Sequence, residues 1–149
     1  MASVSFLRTP IATGGVRSVR GAAVESEMRD PAGIGRATAA QFSGGGSGNV
    51  WIGTVTLAPD TSTGAHHHAH HEVLIQVMRG IAEIRWGERL EFAAMIGPRD
   101  FAYFVPHVPH QERNPGESEP VDFLAVRTDA TRLAVKLAAD AVALPETVA

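Results

Sequence analysis

Histidine placement constrains this chain more than any other feature. Five of its seven histidines fall between Gly64 and Gly80, in G-A-H-H-H-A-H-H-E-V-L-I-Q-V-M-R-G, and the other two, His107 and His110, form a second short group downstream. Imidazole is the commonest protein ligand for transition metals. Two groups far apart in sequence therefore imply a fold that returns on itself and brings both to one ion. Cysteine is absent, which excludes thiolate metal sites, iron–sulfur clusters, disulfide frameworks and a cysteine nucleophile. Any metal would be held by nitrogen and oxygen.

The spacing of apolar runs sets the fold class. Candidate strands are Arg36–Phe42, Val50–Leu57, Glu72–Met78, Ile81–Trp86, Leu90–Ile96, Phe101–Val105 and Val121–Arg127, punctuated by Ala58-Pro59-Asp60, Gly80, Gly97-Pro98 and Asn114-Pro115-Gly116. Short β-branched and aromatic runs spaced about ten residues apart describe an all-β sandwich or barrel, and a small barrel can enclose one small ligand. Pro106–His110 reads as a turn. Ser43–Asn49, S-G-G-G-S-G-N, reads as a mobile loop and lacks the Lys-Ser/Thr of a phosphate-binding loop.

Three regions follow: 1–49 as an N-terminal arm with edge strands, 50–127 as the barrel, and 128–149 as a tail. Within the tail the alanine- and leucine-rich run Thr131–Leu144 is expected to form a short helix. The formal net charge of −3, with no basic stripe, argues against nucleic acid as a partner. No run approaches the ~18 apolar residues of a membrane span, and Arg8 and Pro10 interrupt the amino terminus before a signal-peptide core accumulates. A cytoplasmic protein with a small-molecule ligand is the expectation.

In an extended segment alternate side chains share a face, so His66, His68, His70 and Glu72 have one parity, as do Leu74 and Gln76 beyond them. Two or three imidazoles and a carboxylate can then face one point, with His110 as the ligand from the distant segment. A shift of one residue would substitute His67, His70 or His71. Gln76, a polar amide in an apolar strand, is a candidate to orient a substrate carbonyl or carboxylate. His107 is a candidate extra ligand or proton shuttle, and Glu112 and the spare histidines are the other candidates for a second acid or base.

These residues resemble the two motifs of the cupin superfamily, written G-x5-H-x-H-x3,4-E-x6-G and G-x5-P-x-G-x2-H-x3-N. His66-x-His68-x3-Glu72 fits the centre of the first, and His110-Gln-Glu-Arg-Asn114 the close of the second. Seven residues rather than six separate Glu72 from Gly80, Gly64 lies closer to His66 than the opening glycine should, and Arg99, Val105 and His107 stand at turn positions of the second motif. The resemblance, covering about 50–127, implies a single-domain cupin: a double-stranded β-helix, or jelly-roll barrel, working as a homodimer. It implies His66, His68, Glu72 and His110 as ligands of one divalent transition metal, with Mn, Fe, Co, Ni, Cu and Zn all compatible with nitrogen–oxygen donors. It further implies a metal-dependent enzyme of the oxygenase, decarboxylase or isomerase type acting on a small organic metabolite. The alternative is a non-catalytic, metal-stabilised binding or sensing domain.

Overall fold

The computed structural model describes residues 25–27, 34–40, 50–128 and 134–148. Among these, β1 (Glu25–Glu27), β2 (Ile34–Ala40), β3 (Trp51–Leu57), β4 (Thr61–Ser62), β5 (His66–His67), β6 (Val73–Arg79) and β7 (Ala82–Trp86) come first. They are followed by β8 (Phe92–Ile96), β9 (Phe101–Phe104), β10 (His110–Asn114), β11 (Val121–Arg127), β12 (Val135–Lys136) and β13 (Glu146–Thr147). One sheet has the order β1-β2-β3-β11-β6-β9 and the other β12-β5-β10-β7-β8-β13, with β4 also pairing with β10. All pairings are antiparallel except β13 on β8. This is the all-β architecture that the strand spacing predicts, a jelly-roll barrel built from two facing sheets.

Alternation drives the packing. In β11, Val121, Phe123, Ala125 and Arg127 face inward, and in β6 Val73, Ile75 and Val77 do so, while Leu74 and Met78 are exposed. The apolar ones among these inward side chains pack with Trp51, Leu57, Ala82, Ile84 and Phe104 into one core drawn from both sheets. Each well-buried aliphatic or aromatic side chain there contributes roughly 1.5–3 kcal/mol relative to exposure. Gly80 closes the β6–β7 turn at φ +80°, where a Cβ would lie 2.6 Å from the Pro120 carbonyl oxygen, so the close approach requires glycine.

Two expectations are corrected. The run Thr131–Leu144 is not helical over its described part. Val135–Lys136 pairs with β5, and the chain then runs extended, with the amides of Leu137 and Val142 donating to the carbonyls of Ala65 and Arg89. Alanine and leucine give only a weak local preference, and backbone pairing along the barrel outweighs it here. Pro106–His110 is a turn that ends in a strand: His110–Asn114 is β10, a member of the second sheet. The expected loop Ser43–Asn49 and most of the N-terminal arm lie outside the described residues. No helix among the described residues is long and apolar enough to cross a membrane.

Candidate metal centre

The site is assembled where β5 meets β10. His66 pairs directly with His110 across this antiparallel ladder, and residues facing each other on paired strands bring their side chains together. Their ring centroids are 4.4 Å apart, with His68 at 5.0 Å from His66 and 5.3 Å from His110. One potential ligand atom from each of the three lies within 4.8 Å of the others.

Main-chain carbonyls set the tautomers of two of these rings. His66 Nδ1 lies 2.8 Å from the Gly64 carbonyl and His110 Nδ1 lies 3.0 Å from that of Val108. A carbonyl only accepts, so each Nδ1 carries the proton and each Nε2 presents a lone pair to the interior. His110 is 1% exposed, and its Nε2 has no hydrogen-bond partner among the described residues. A buried acceptor in that condition costs about 1–3 kcal/mol unless something binds it. Three convergent nitrogens, two of them aimed by backbone carbonyls, fit a nitrogen-liganded divalent metal.

The carboxylate beside them is Glu112. It follows His110 by two residues on β10 and so shares its face. Its carboxylate lies 3.8 Å from His66 Nε2 and 3.7 Å from His110 Nε2. Thr63 Oγ1 donates to it at 2.9 Å, and the Glu112 amide donates to the same hydroxyl at 3.0 Å. Burial alone pushes the Glu112 carboxyl up, but the charges of His110 and His66 and the Thr63 hydrogen bond outweigh it and hold the group at about 2. Burial pushes the His110 imidazole down, against the pull of Glu112, so this ring resists protonation. Both groups thus keep their lone pairs available to a cation.

A cavity of about 40 Å³ adjoins the histidines. Val55, Val73, Ile75, Phe123 and Ala125 form its apolar walls, and Thr63, His66, His68, Glu112 and Arg127 bring polar atoms to it. Arg127 is buried, with its guanidinium carbon 4.9 Å from the centre of the Trp51 ring.

Glu72 does not converge with the histidines. It is exposed, and its carboxylate accepts a 2.6 Å hydrogen bond from the Tyr103 hydroxyl. Strict alternation from His66 to Glu72 fails because Ala69 adopts φ +53° and the His71 amide bonds back to the His68 carbonyl at 3.1 Å. That turn resets the phase, and Val73 enters β6 pointing inward, 2% exposed. Val73 is also the residue that stands six before Gly80 in the motif's counting. An apolar side chain therefore occupies the place of the motif's glutamate, and a carboxylate enters from the other strand.

The remaining candidates lie apart from the three histidines. Gln76 has the outward phase of Leu74 and Met78 and does not line the cavity. His107 is exposed at φ +64°, its ring 5.8 Å from that of His67, and its amide donates to the Ala69 carbonyl at 2.7 Å. His67 Nδ1 accepts from the Ala69 amide at 2.9 Å, and His70 and His71 stack on each other at 4.1 Å. The places of Thr63 and Arg127 were not anticipated. Arg127 has a readable signal, the fourth inward step of Val121, Phe123, Ala125; Thr63 has none.

The model of the cupin domain family matches residues 53–127. No curated protein matches the chain in sequence. Among solved structures, the polyketide cyclase RemF from Streptomyces resistomycificus is similar at TM-score 0.69 and 18% identity, covering 83% of this chain and 86% of that one. An uncharacterized conserved protein with a double-stranded β-helix domain from Klebsiella pneumoniae is similar at TM-score 0.59 and 19% identity, covering 69% and 83%. An oxalate oxidase is similar at TM-score 0.62 and 16% identity, covering 72% of this chain and 57% of that one. At such identities the likeness speaks for the fold, which hosts unrelated activities. With the family model spanning half of its length and the two-sheet barrel carrying its histidines at the strand junction, this chain belongs to the cupin family.

Proposed function

We propose that the chain holds one divalent transition metal through His66, His68 and His110, with Glu112 as the neighbouring carboxylate, and acts on a small organic metabolite in the adjoining cavity. The observation that carries this reading is the His110 Nε2, buried and without a hydrogen-bond partner among the described residues, within ligand range of two other imidazoles. When bound, such a metal supplies Lewis-acid or redox chemistry to a coordinated small molecule. The chain's own contribution is distinct from that. The Gly64 and Val108 carbonyls fix the imidazole tautomers, Glu112 sits charged beside two of the nitrogens, and Val55, Val73, Ile75, Phe123 and Ala125 give the cavity apolar walls. An oxygenase, decarboxylase or isomerase activity suits this arrangement, and the solved relatives named as a cyclase and an oxidase lend general support to catalysis on this fold.

A second reading, a metal-stabilised binding or sensing domain, draws on the sparseness of acid–base groups. Apart from the histidines and Arg127, Glu112 is the one titratable side chain among the described residues lining the cavity, and it is held charged. As part of either reading, the exposed side chains of Leu74, Met78, Phe101 and Tyr103 on the outer face of β6 and β9 suit a homodimer contact. Metal analysis of untagged protein purified without added metal tests the proposal. Near-stoichiometric single-metal content that disappears in His110→Ala supports it, and a mixture of metals at low occupancy that survives the substitution refutes it. Oxygen uptake or product formation with the loaded protein separates enzyme from binding domain.

A further inference from the structure

We infer that the C-terminal segment is a strap whose seating on β5 is coupled to metal binding, so that the ion holds the strap down and a released strap loosens the ion. The inference rests on the metal reading above and concerns how that site is regulated. It starts from how little holds β5. This strand is two residues long, and among the described residues its ladder to β10 is the single pair of His66 with His110. Its other edge carries two pairs, Val135 with His67 and Lys136 with His66, and the Leu137 amide donates to the Ala65 carbonyl at 2.9 Å. That carbonyl belongs to the peptide unit leading into His66, so the tail grips the backbone from which this imidazole extends. His110 is held differently. It lies on a five-residue strand with four pairs to β7, and no strap is needed to keep it in place.

The strap itself is lightly attached. Beyond β12 it passes the β7–β8 turn, where the Val142 amide donates to the Arg89 carbonyl at 3.0 Å and Arg89 Nε donates to the Asp140 carbonyl at 3.2 Å. It ends as β13 beside β8, on the opposite edge of the sheet. No side chain of residues 134–148 belongs to the buried core or lines the cavity, and Leu144 is 91% exposed. Main-chain hydrogen bonds near solvent therefore provide most of its grip, and a segment with few buried apolar contacts opens locally without global unfolding. Opening at β12 leaves β5 with its one pair to β10. His66 then loses the fixed direction that convergence with His68 and His110 requires. An ion that binds the convergent set more tightly than the loosened one must favour the seated strap by the same factor, because the coupling is reciprocal.

The test follows trypsin cleavage of the full chain between Lys136 and Leu137 by mass spectrometry, without metal and with saturating cobalt(II). Cleavage after Arg113, inside β10, gauges global unfolding. Cobalt(II) affinity is measured by equilibrium dialysis for the wild type and for Leu137→Pro, which lacks the amide that reaches Ala65, with circular dichroism recorded for both. Without metal we expect the Lys136 cut to run well ahead of the Arg113 cut, and cobalt(II) to slow it by about tenfold. Leu137→Pro should bind cobalt(II) about tenfold more weakly with the wild-type spectrum. A Lys136 cut whose rate is unchanged by bound cobalt(II), or one that merely keeps pace with the Arg113 cut, overturns the inference and leaves the metal reading standing. Undiminished cobalt(II) affinity in a folded Leu137→Pro does the same. If Leu137→Pro does not fold, the two cleavage rates of the wild type decide the matter. Failure of the wild-type chain to bind cobalt(II) overturns the metal reading and the inference with it.

Discussion

Two glutamates stand at the ends of the two histidine segments and have opposite fates. Glu72 follows the first segment, lies on the outer face and shares its carboxylate with the exposed Tyr103 hydroxyl. Glu112 follows His110, lies inside, and is fixed by Thr63 beside two imidazoles. Local sequence favours Glu72, since it completes a familiar histidine and glutamate pattern. Three-dimensional phase favours Glu112, because a regular strand keeps the parity of His110 while the turn at Ala69 breaks that of His66 and His68. A side chain's role here is set by the continuity of the strand that carries it.

The strongest way to break this comparison is at its fixed point. His110→Ala should lower metal affinity by about a hundredfold or more, since it removes one of three convergent nitrogens, while His70→Ala and His71→Ala should leave it unchanged; equilibrium dialysis reads both. Next in size is Asn114→Ala. The Asn114 amide donates to the carbonyls of Leu57, Ala58 and Glu119 at 3.1, 3.2 and 2.8 Å and accepts from the Gly116 amide at 3.0 Å. Losing them inside the barrel should cost about 2–4 kcal/mol in urea unfolding, and a loss below 1 kcal/mol, on the order of one surface contact, would argue that β10 is held some other way.

The glutamates themselves come third. Glu112→Gln should weaken metal binding by about tenfold, with Glu72→Gln indistinguishable from wild type; the reverse order would restore the role to Glu72. Acid provides the fourth test. In the fold His110 binds a proton less readily than the usual 6.5, and Glu112 is held at about 2 against the usual 4.5. The unfolded chain therefore takes up both protons first as pH falls, and stability falls with it. The histidine contribution is complete above 6.5 and is lost progressively below that value, whereas the Glu112 contribution is complete above 4.5 and disappears towards 2. Thermal melting of metal-free protein should show a midpoint that declines from pH 7 to pH 4, and a flat profile over that range would contradict the assignment. Smallest of all is Tyr103→Phe, which removes an exposed hydrogen bond and should leave both the melting midpoint and metal content at wild-type values.

What could be read from the sequence divides along the same line. Trp51–Leu57 and Val121–Arg127 were legible because their β-branched and aromatic residues alternate along strands that cross the core. The approach of His66, His68 and His110 to one another was legible from their clustering and spacing, although Glu72 was grouped with them and a one-residue shift to His67, His70 or His71 stayed open. Strand β10 was not, since H-Q-E-R-N places histidine, glutamate and asparagine inside, and the hydrophobic pattern on which such reading depends is absent. The phase break at Ala69 has no sequence mark, because alanine rarely adopts φ +53° and nothing in its composition announces it. One clue was present: the interval to Gly80 is seven residues from Glu72 and six from Val73.

The backbone carbonyls that hold the imidazoles and Asn114 carry a consequence for how such a barrel can diversify. The grip comes from the main chain of Gly64, Val108, Leu57, Ala58 and Glu119, and main chain is indifferent to most substitutions. Val55, Ile75 and Phe123 can therefore be exchanged to reshape the chamber without loosening the rings, so new chamber shapes are open to this scaffold through changes that leave the frame around its histidines at rest.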